Sequence, residues 1–154
     1  MLTFVPISIR SAKAFVREHH RHNPSVAGAR TAIGLELDGR LVGVGLLGNP
    51  KARELAADRT CAEAVRVCVS HEAPKGASSK INSRLKRIWQ LHGGRRFITY
   101  NRADESGASM RGAGLTPTSV VKGRQWNCQS RPRTVVQDVV DKVRWEQALS
   151  EVPA

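Results

Sequence analysis

The sequence predicts one α/β domain: a mixed β-sheet with helices on both faces. Three observations carry this. Strand-like segments outnumber helix-like ones, in the order β-α-β-β-β-α-β-α-β. An Asp38-Gly39 hairpin signal sits beside segments that read as βαβ crossovers. The 154 residues are 40% apolar and 25% charged, which is globular composition; a chain of that length buries about 70% of its unfolded surface and needs no staples. No stretch reads as a linker, so residues 1–154 form a single domain with a basic loop at 122–134 and a tail at 147–154.

Each element has its own signal. Leu2 to Ile7 is a short strand. Arg10 to His20 is a helix whose Ala12, Phe15 and Val16 fall at i, i+3 and i+4, and Asn23-Pro24 stops it. Arg30–Leu37 and Arg40–Leu47 are strands, joined at Asp38-Gly39 because both turn positions favour positive φ. Residues 49–60 read as an irregular polar connection. Ala62 to Val69 is a long strand, with Val65, Val67 and Val69 expected on one face and Arg66 and Cys68 on the other.

A helix follows from Ala77 to His92, with a buried stripe of Ile81, Leu85, Ile88, Trp89 and His92. Lys80, Arg84 and Arg87 form a separate basic stripe on it, and Gly93-Gly94 ends it. Arg96–Tyr100 is a strand, Glu105–Ala113 a short helix and Leu115–Val121 another strand. Val143–Trp145 is expected as a last edge strand.

Charge narrows the function classes. Twenty-five Lys and Arg face 13 Asp and Glu, a net of +12. Residues 75–133 carry 13 of the basic side chains and only two acids, Asp104 and Glu105. Such density suits a polyanionic partner, since neutralised phosphates release counterions; a solvated basic surface or a phosphorylated cofactor are the alternatives. The longest apolar run, Leu41–Gly48, is far short of the ~20 residues of a membrane span, and no secretory leader is legible. Three cysteines without a CxxC pair fit a reducing, cytoplasmic setting.

Four groups of residues can carry chemistry. At the junction running from Val67, Cys68 and Val69 through Lys75, Gly76, Ala77, Ser78, Ser79 and Lys80, a helix start offers unpaired N–H groups to a phosphate. It matches neither GxxxxGK[ST] nor GxGxxG, and it also suits an ordinary serine-capped helix start. His19, His20 and His22, with Arg21, offer a general base or a metal ligand, or simply a polar helix end. Glu63 offers a carboxylate base or a surface ion-pair partner; Arg66, three residues on, is expected on the opposite face. Lys122, Arg124, Trp126, Arg131 and Arg133 interleave cations with one aromatic, as nucleic-acid grips do, or as a loop that packs its Trp.

The element order and Ala73-Pro74-Lys75-Gly76-Ala77-Ser78 resemble the GNAT superfamily of acyl-CoA-dependent N-acyltransferases. There a Q/R-x-x-G-x-G/A loop after the fourth strand opens a long helix. Gly76 matches; Ala73 and Ser78 depart from the first and last positions. A second likeness is Ser109-Met110-Arg111-Gly112-Ala113-Gly114-Leu115, and together they span about residues 2–121.

The resemblance implies a mixed, mostly antiparallel central sheet flanked by helices on both faces, and acetyl-CoA or a related acyl-CoA at residues 67–80. It implies Glu63 as the base taking the amine proton. Many members carry a tyrosine that protonates the leaving thiolate where this chain has Met110, which has no proton to give. Tyr100, Ser109 and His20 are the other candidate catalytic side chains.

A narrower likeness is to phage Mom-like DNA adenine-modification proteins. It rests on residues 18–23, 63–68, 107–114, 130–133 and 144–146. It implies DNA as partner, with anti-restriction modification of the exocyclic amine of adenine, and acts through His19, Arg21, His22, Arg66 and the 122–133 loop. No membrane is expected. An extra cofactor such as iron stays open, with no ligand spacing to support it, as does oligomeric state. The alternatives are a non-catalytic nucleic-acid-binding protein on this fold, or an acyltransferase acting on a protein or small-molecule amine.

Overall fold

The computed structural model describes residues 1–20, 26, 28–123 and 140–154. The elements are β1 (Leu2–Pro6), α1 (Ile9–His19), β2 (Ala29–Leu37), β3 (Arg40–Gly48), α2 (Arg53–Ala56), β4 (Cys61–Val69), α3 (Ala77–Leu91), β5 (Arg96–Arg102), α4 (Ala108–Gly112), β6 (Thr116–Val121) and β7 (Lys142–Ala148). The strands form one sheet in the order β1-β2-β3-β4-β5-β7-β6. Every neighbouring pair is antiparallel except β4 and β5. This is the mixed, mostly antiparallel sheet that was expected.

The helices lie on opposite faces. Ser8 caps α1, its hydroxyl accepting from the Ser11 N–H. Ala12, Phe15 and Val16 of α1 pack on Ala32, Val44, Leu46 and Cys68. On the other face, Ile81 and Leu85 of α3 pack on Leu35, Val42, Leu47, Ala64 and Phe97. Gly43 and Gly45 of β3 let α3 approach: a Cβ at Gly45 would stand 2.5 Å from Ile81 Cγ2 and 2.9 Å from Leu85 Cδ1. The Asp38-Gly39 turn has both residues at positive φ, +50° and +83°, as a two-residue hairpin of this twist requires.

Several expectations are corrected. The β7 strand is interior, between β5 and β6, and β6 is the edge. Alternation in a short sequence run cannot tell these apart. The connection at 49–60 contains the single turn α2. The helix expected from Glu105 starts only at Ala108, because Gly107 adopts φ +73° against the Trp145 ring. His92 is exposed rather than buried, and its Nδ1 lies 2.8 Å from the Ile88 carbonyl oxygen at the end of α3.

The faces of β4 also differ from simple alternation. Leu46 pairs with Arg66 and Leu47 with Ala64, so Val65 is an extra, bulged residue. Beyond it Val67 and Val69 share a face as expected, the one that meets α3, but Val65 joins Cys68 on the α1 side. The same inserted residue brings Glu63 and Arg66 to one face, where unbroken alternation had placed them on opposite ones.

Candidate active site

The site begins where β4 and β5 part. They pair over only three residues each, Cys61, Ala62 and Glu63 with Arg96, Phe97 and Ile98. Past that point the Val65 bulge turns β4 aside. The Ser70 N–H donates to the Val42 carbonyl at 2.8 Å, so Ser70, Cys68 and Arg66 point their backbone at β3. Alternation turns the backbone groups of Val67 and Val69 toward the gap. Cys68 stands apart from them: its side chain is buried on the α1 side, and burial pushes its thiol up to about 11.

On the α3 side of the gap, Gly76 precedes the helix at φ +87°, and a Cβ there would meet nothing within 4 Å. The Ala77 N–H bonds to Pro74 O and the Lys80 N–H to Gly76 O. Helix geometry leaves the N–H groups of Ser78 and Ser79 without a partner inside the helix, at its positive pole. Lys75 and Lys80 flank this turn and are exposed. An open, left-handed glycine before unpaired N–H groups and two lysines fits a pyrophosphate.

The neighbouring α4 is tied to the same turn. Ser79 Oγ donates to the Ser109 carbonyl at 2.8 Å, and Gly112 sits against Ser79. The Ser109 hydroxyl lies 3.0 Å from Met110 Sδ. Ser109 therefore belongs to the α3 side of the gap.

The opposite side gathers Glu63, Arg66, His20 and Tyr100. Glu63 is only 6% exposed, and its Oε1 accepts from the Lys51 N–H at 3.1 Å. Burial holds its carboxyl above the usual range, against the pull of that hydrogen bond and of the charges on Lys51, Lys142 and Arg66. Arg66 lies 3.3 Å from His20 Nε2, and burial lowers its guanidinium pKa. Tyr100 lies two residues beyond the segment of β5 that pairs with β4, and is itself paired with Arg144 of β7. Burial raises its phenol pKa, opposed by a hydrogen bond with Arg144. Arg144 and Glu146 of β7, with Arg96, extend this charged row. Burial alone would lift the Glu146 carboxyl, but bonds from Thr118 and Arg96 and the charges of Arg96 and Arg144 bring it below the ordinary value.

Arg144, Glu146, Lys51 and Lys142 are the members that sequence reasoning left without a role. A strand pattern at 143–145 was visible, but only an interior β7 places Arg144 beside Tyr100. His19 lies apart, its ring 4.3 Å from that of Phe15, and Lys122 is exposed beyond the end of β6. Arg21, His22, Arg124, Trp126, Arg131 and Arg133 lie outside the described residues. Among the described residues no three His, Cys, Asp or Glu side chains come together to hold a metal, so no step is assigned to iron. None of the described helices is long and apolar enough to cross a membrane.

No protein-family model and no curated protein sequence matches the chain. Solved structures do match its fold. The Escherichia coli ribosomal-protein-S18-alanine N-acetyltransferase has a TM-score of 0.68 at 10% identity, over 99% of this chain and 97% of that one. The IAA acetyltransferase of Bacillus cereus has a TM-score of 0.71 at 12% identity, over 97% and 100%. A Bacillus subtilis acetyltransferase solved with CoA has a TM-score of 0.67 at 11% identity, over 97% and 98%. The chain thus has the fold of these acetyltransferases, and nothing in these likenesses singles out DNA-modifying proteins.

Proposed function

We propose that this protein is an acyl-CoA-dependent N-acyltransferase whose acceptor is the exocyclic amine of adenine in DNA. One observation carries the reading: the gap between β4 and β5 has a phosphate cradle at Gly76 on one side and the buried Glu63 carboxylate on the other. Acetyl-CoA or a related acyl-CoA would supply the activated thioester. Gly76, Ser78 and Ser79 would hold its pyrophosphate, and the N–H groups of Val67 and Val69 would polarise the acyl carbonyl. Glu63, made more basic by burial, would take the proton that the amine loses as its nitrogen bonds the acyl carbon and the carbon–sulfur bond breaks, its electron pair leaving on sulfur as the CoA thiolate.

The choice of acceptor rests on charge. Lys51, Arg66 and Lys142 all act on Glu63, and Arg144 lies beside Tyr100. A cationic surround of this kind favours an amine carried on a polyanion. A duplex adenine must leave the stack to reach the gap, and a basic approach surface holds the flanking phosphates. Met110 favours a second reading, a nucleic-acid-binding protein without catalysis, because it replaces the phenol many such enzymes use. An amine on a protein or small molecule is a third acceptor class.

The test is mass spectrometry of nucleosides from plasmid DNA in cells making the protein or its Gly76→Val variant. An adenine adduct present with the first and absent with the second supports the proposal. Unmodified DNA with CoA binding intact moves the acceptor to a protein or small molecule. Unmodified DNA with no CoA binding leaves the binding protein.

A further inference from the structure

A cavity of about 720 Å³ lies between α3 and the β1 edge, on the sheet face away from Glu63. Its floor is apolar: Leu2 and Phe4 of β1 and Leu35 of β2. Its rim is the basic stripe of α3, Lys80, Arg84 and Arg87, all exposed. Among the described residues no acidic side chain lines it. The Arg84 guanidinium stacks 4.3 Å above the Phe4 ring, which fixes its position without neutralising it. Arg87 is steadied by a hydrogen bond from its Nη1 to Gln90 Oε1 at 3.0 Å, again a neutral partner.

We infer that this groove binds the sugar–phosphate backbone of a nucleic-acid strand, as an anchor that starts at Ser79 and Lys80 beside the cofactor cradle and runs away from it along Arg84 and Arg87. Seven residues of helix separate Lys80 from Arg87, about 10 Å at 1.5 Å rise each. Phosphates of one DNA strand recur at ~3.4 Å along the helix axis, so the three cations match a short run of them. The apolar floor at Leu2, Phe4 and Leu35 accepts the apolar faces of the sugars, which a flat, fully solvated basic surface would not. The choice of nucleic acid as occupant rests on the proposed function; the groove's capacity for phosphates stands on its own residues.

The test is the salt dependence of binding to a short fluorescent duplex DNA, read by anisotropy for the intact chain and an Arg84→Gln/Arg87→Gln double variant. Losing two phosphate contacts is expected to reduce the log–log salt slope by about 1.8, at ~0.9 per contact. An Arg84→Lys/Arg87→Lys variant is expected to keep the slope, since charge and not fork geometry sets it. CoA affinity, measured by calorimetry on the same proteins, is expected to stay within twofold. An unchanged slope in the glutamine variant overturns the inference. So does a fall in CoA affinity with the slope intact, which would make the stripe part of the cofactor site. A chain that binds CoA but no DNA likewise overturns it while leaving the acyltransferase reading standing.

Discussion

On the proposed reading Glu63 is the base, and its burial gives two separable consequences. Glu63→Gln is expected to lower turnover by about 10²–10⁴-fold, the usual worth of a positioned base, with CoA affinity unchanged. If the protein catalyses the proposed transfer, the rate should rise with pH through a midpoint above the ordinary carboxylate value, because burial raises the Glu63 pKa. Stability runs the opposite way. A carboxyl whose folded pKa is raised favours the fold fully below its unfolded pKa, and that support is lost as pH rises through the folded value. Glu63→Gln should therefore melt no lower than the parent at neutral pH. At Gly76 the expected loss comes from the backbone. Its φ of +87° strains valine by roughly 1–2 kcal/mol, yet the Cβ meets nothing, so Gly76→Val should fold and fail a CoA titration. Residue types were legible here because a carboxylate on a strand and a glycine before a helix each have a signature. The alliance of Glu63 with Arg66 was not, because one bulged valine reverses the parity that sequence reading assumes.

Strands and helices show which signals survive and which do not. The hairpin at Asp38-Gly39 was legible because two positive-φ positions in a row leave few residue choices. The start of α4 was not, since Gly107 is fixed by the Trp145 ring, 38 residues away in sequence. The seat of α3 on the sheet depends on an absence of side chains at Gly43 and Gly45. Gly45→Ala is expected to destabilise the fold by about 1–3 kcal/mol through overpacking, although alanine is otherwise the stiffer choice. Thermal melting reads it directly. Between β5 and β7, the Arg96–Glu146 pair is half-sheltered, with Arg96 34% and Glu146 14% exposed at the side chain. Glu146→Gln should cost about 1–2 kcal/mol at neutral pH, below the ~3–5 of a fully buried pair. The Glu146 pKa is lowered in the fold, so its support is present above the unfolded carboxylate value and lost as pH falls through the folded one. The deficit of the variant should fade along the same path.

The sheet as a whole divides into two parts joined by the three-residue pairing of β4 with β5, and the candidate site is the seam. Composition and element order sufficed for a mixed sheet with helices on both faces, because hydrophobic period and turn residues are local. The position of β7 was out of reach, because it depends on which strand edge is left open when the chain returns. That return has a consequence in time. As the polypeptide is made, β1 to β4 find their partners among residues already present, and α1 and α3 can settle on them. Among the described residues, meanwhile, β6 has no partner strand, and β5 pairs only with β4, until residues 142–148 emerge. The half of the molecule bearing Tyr100 is thus completed in one late step. A nascent chain halted before Lys142 would have its Gly76 turn in place while the strand that flanks Tyr100 is still to come.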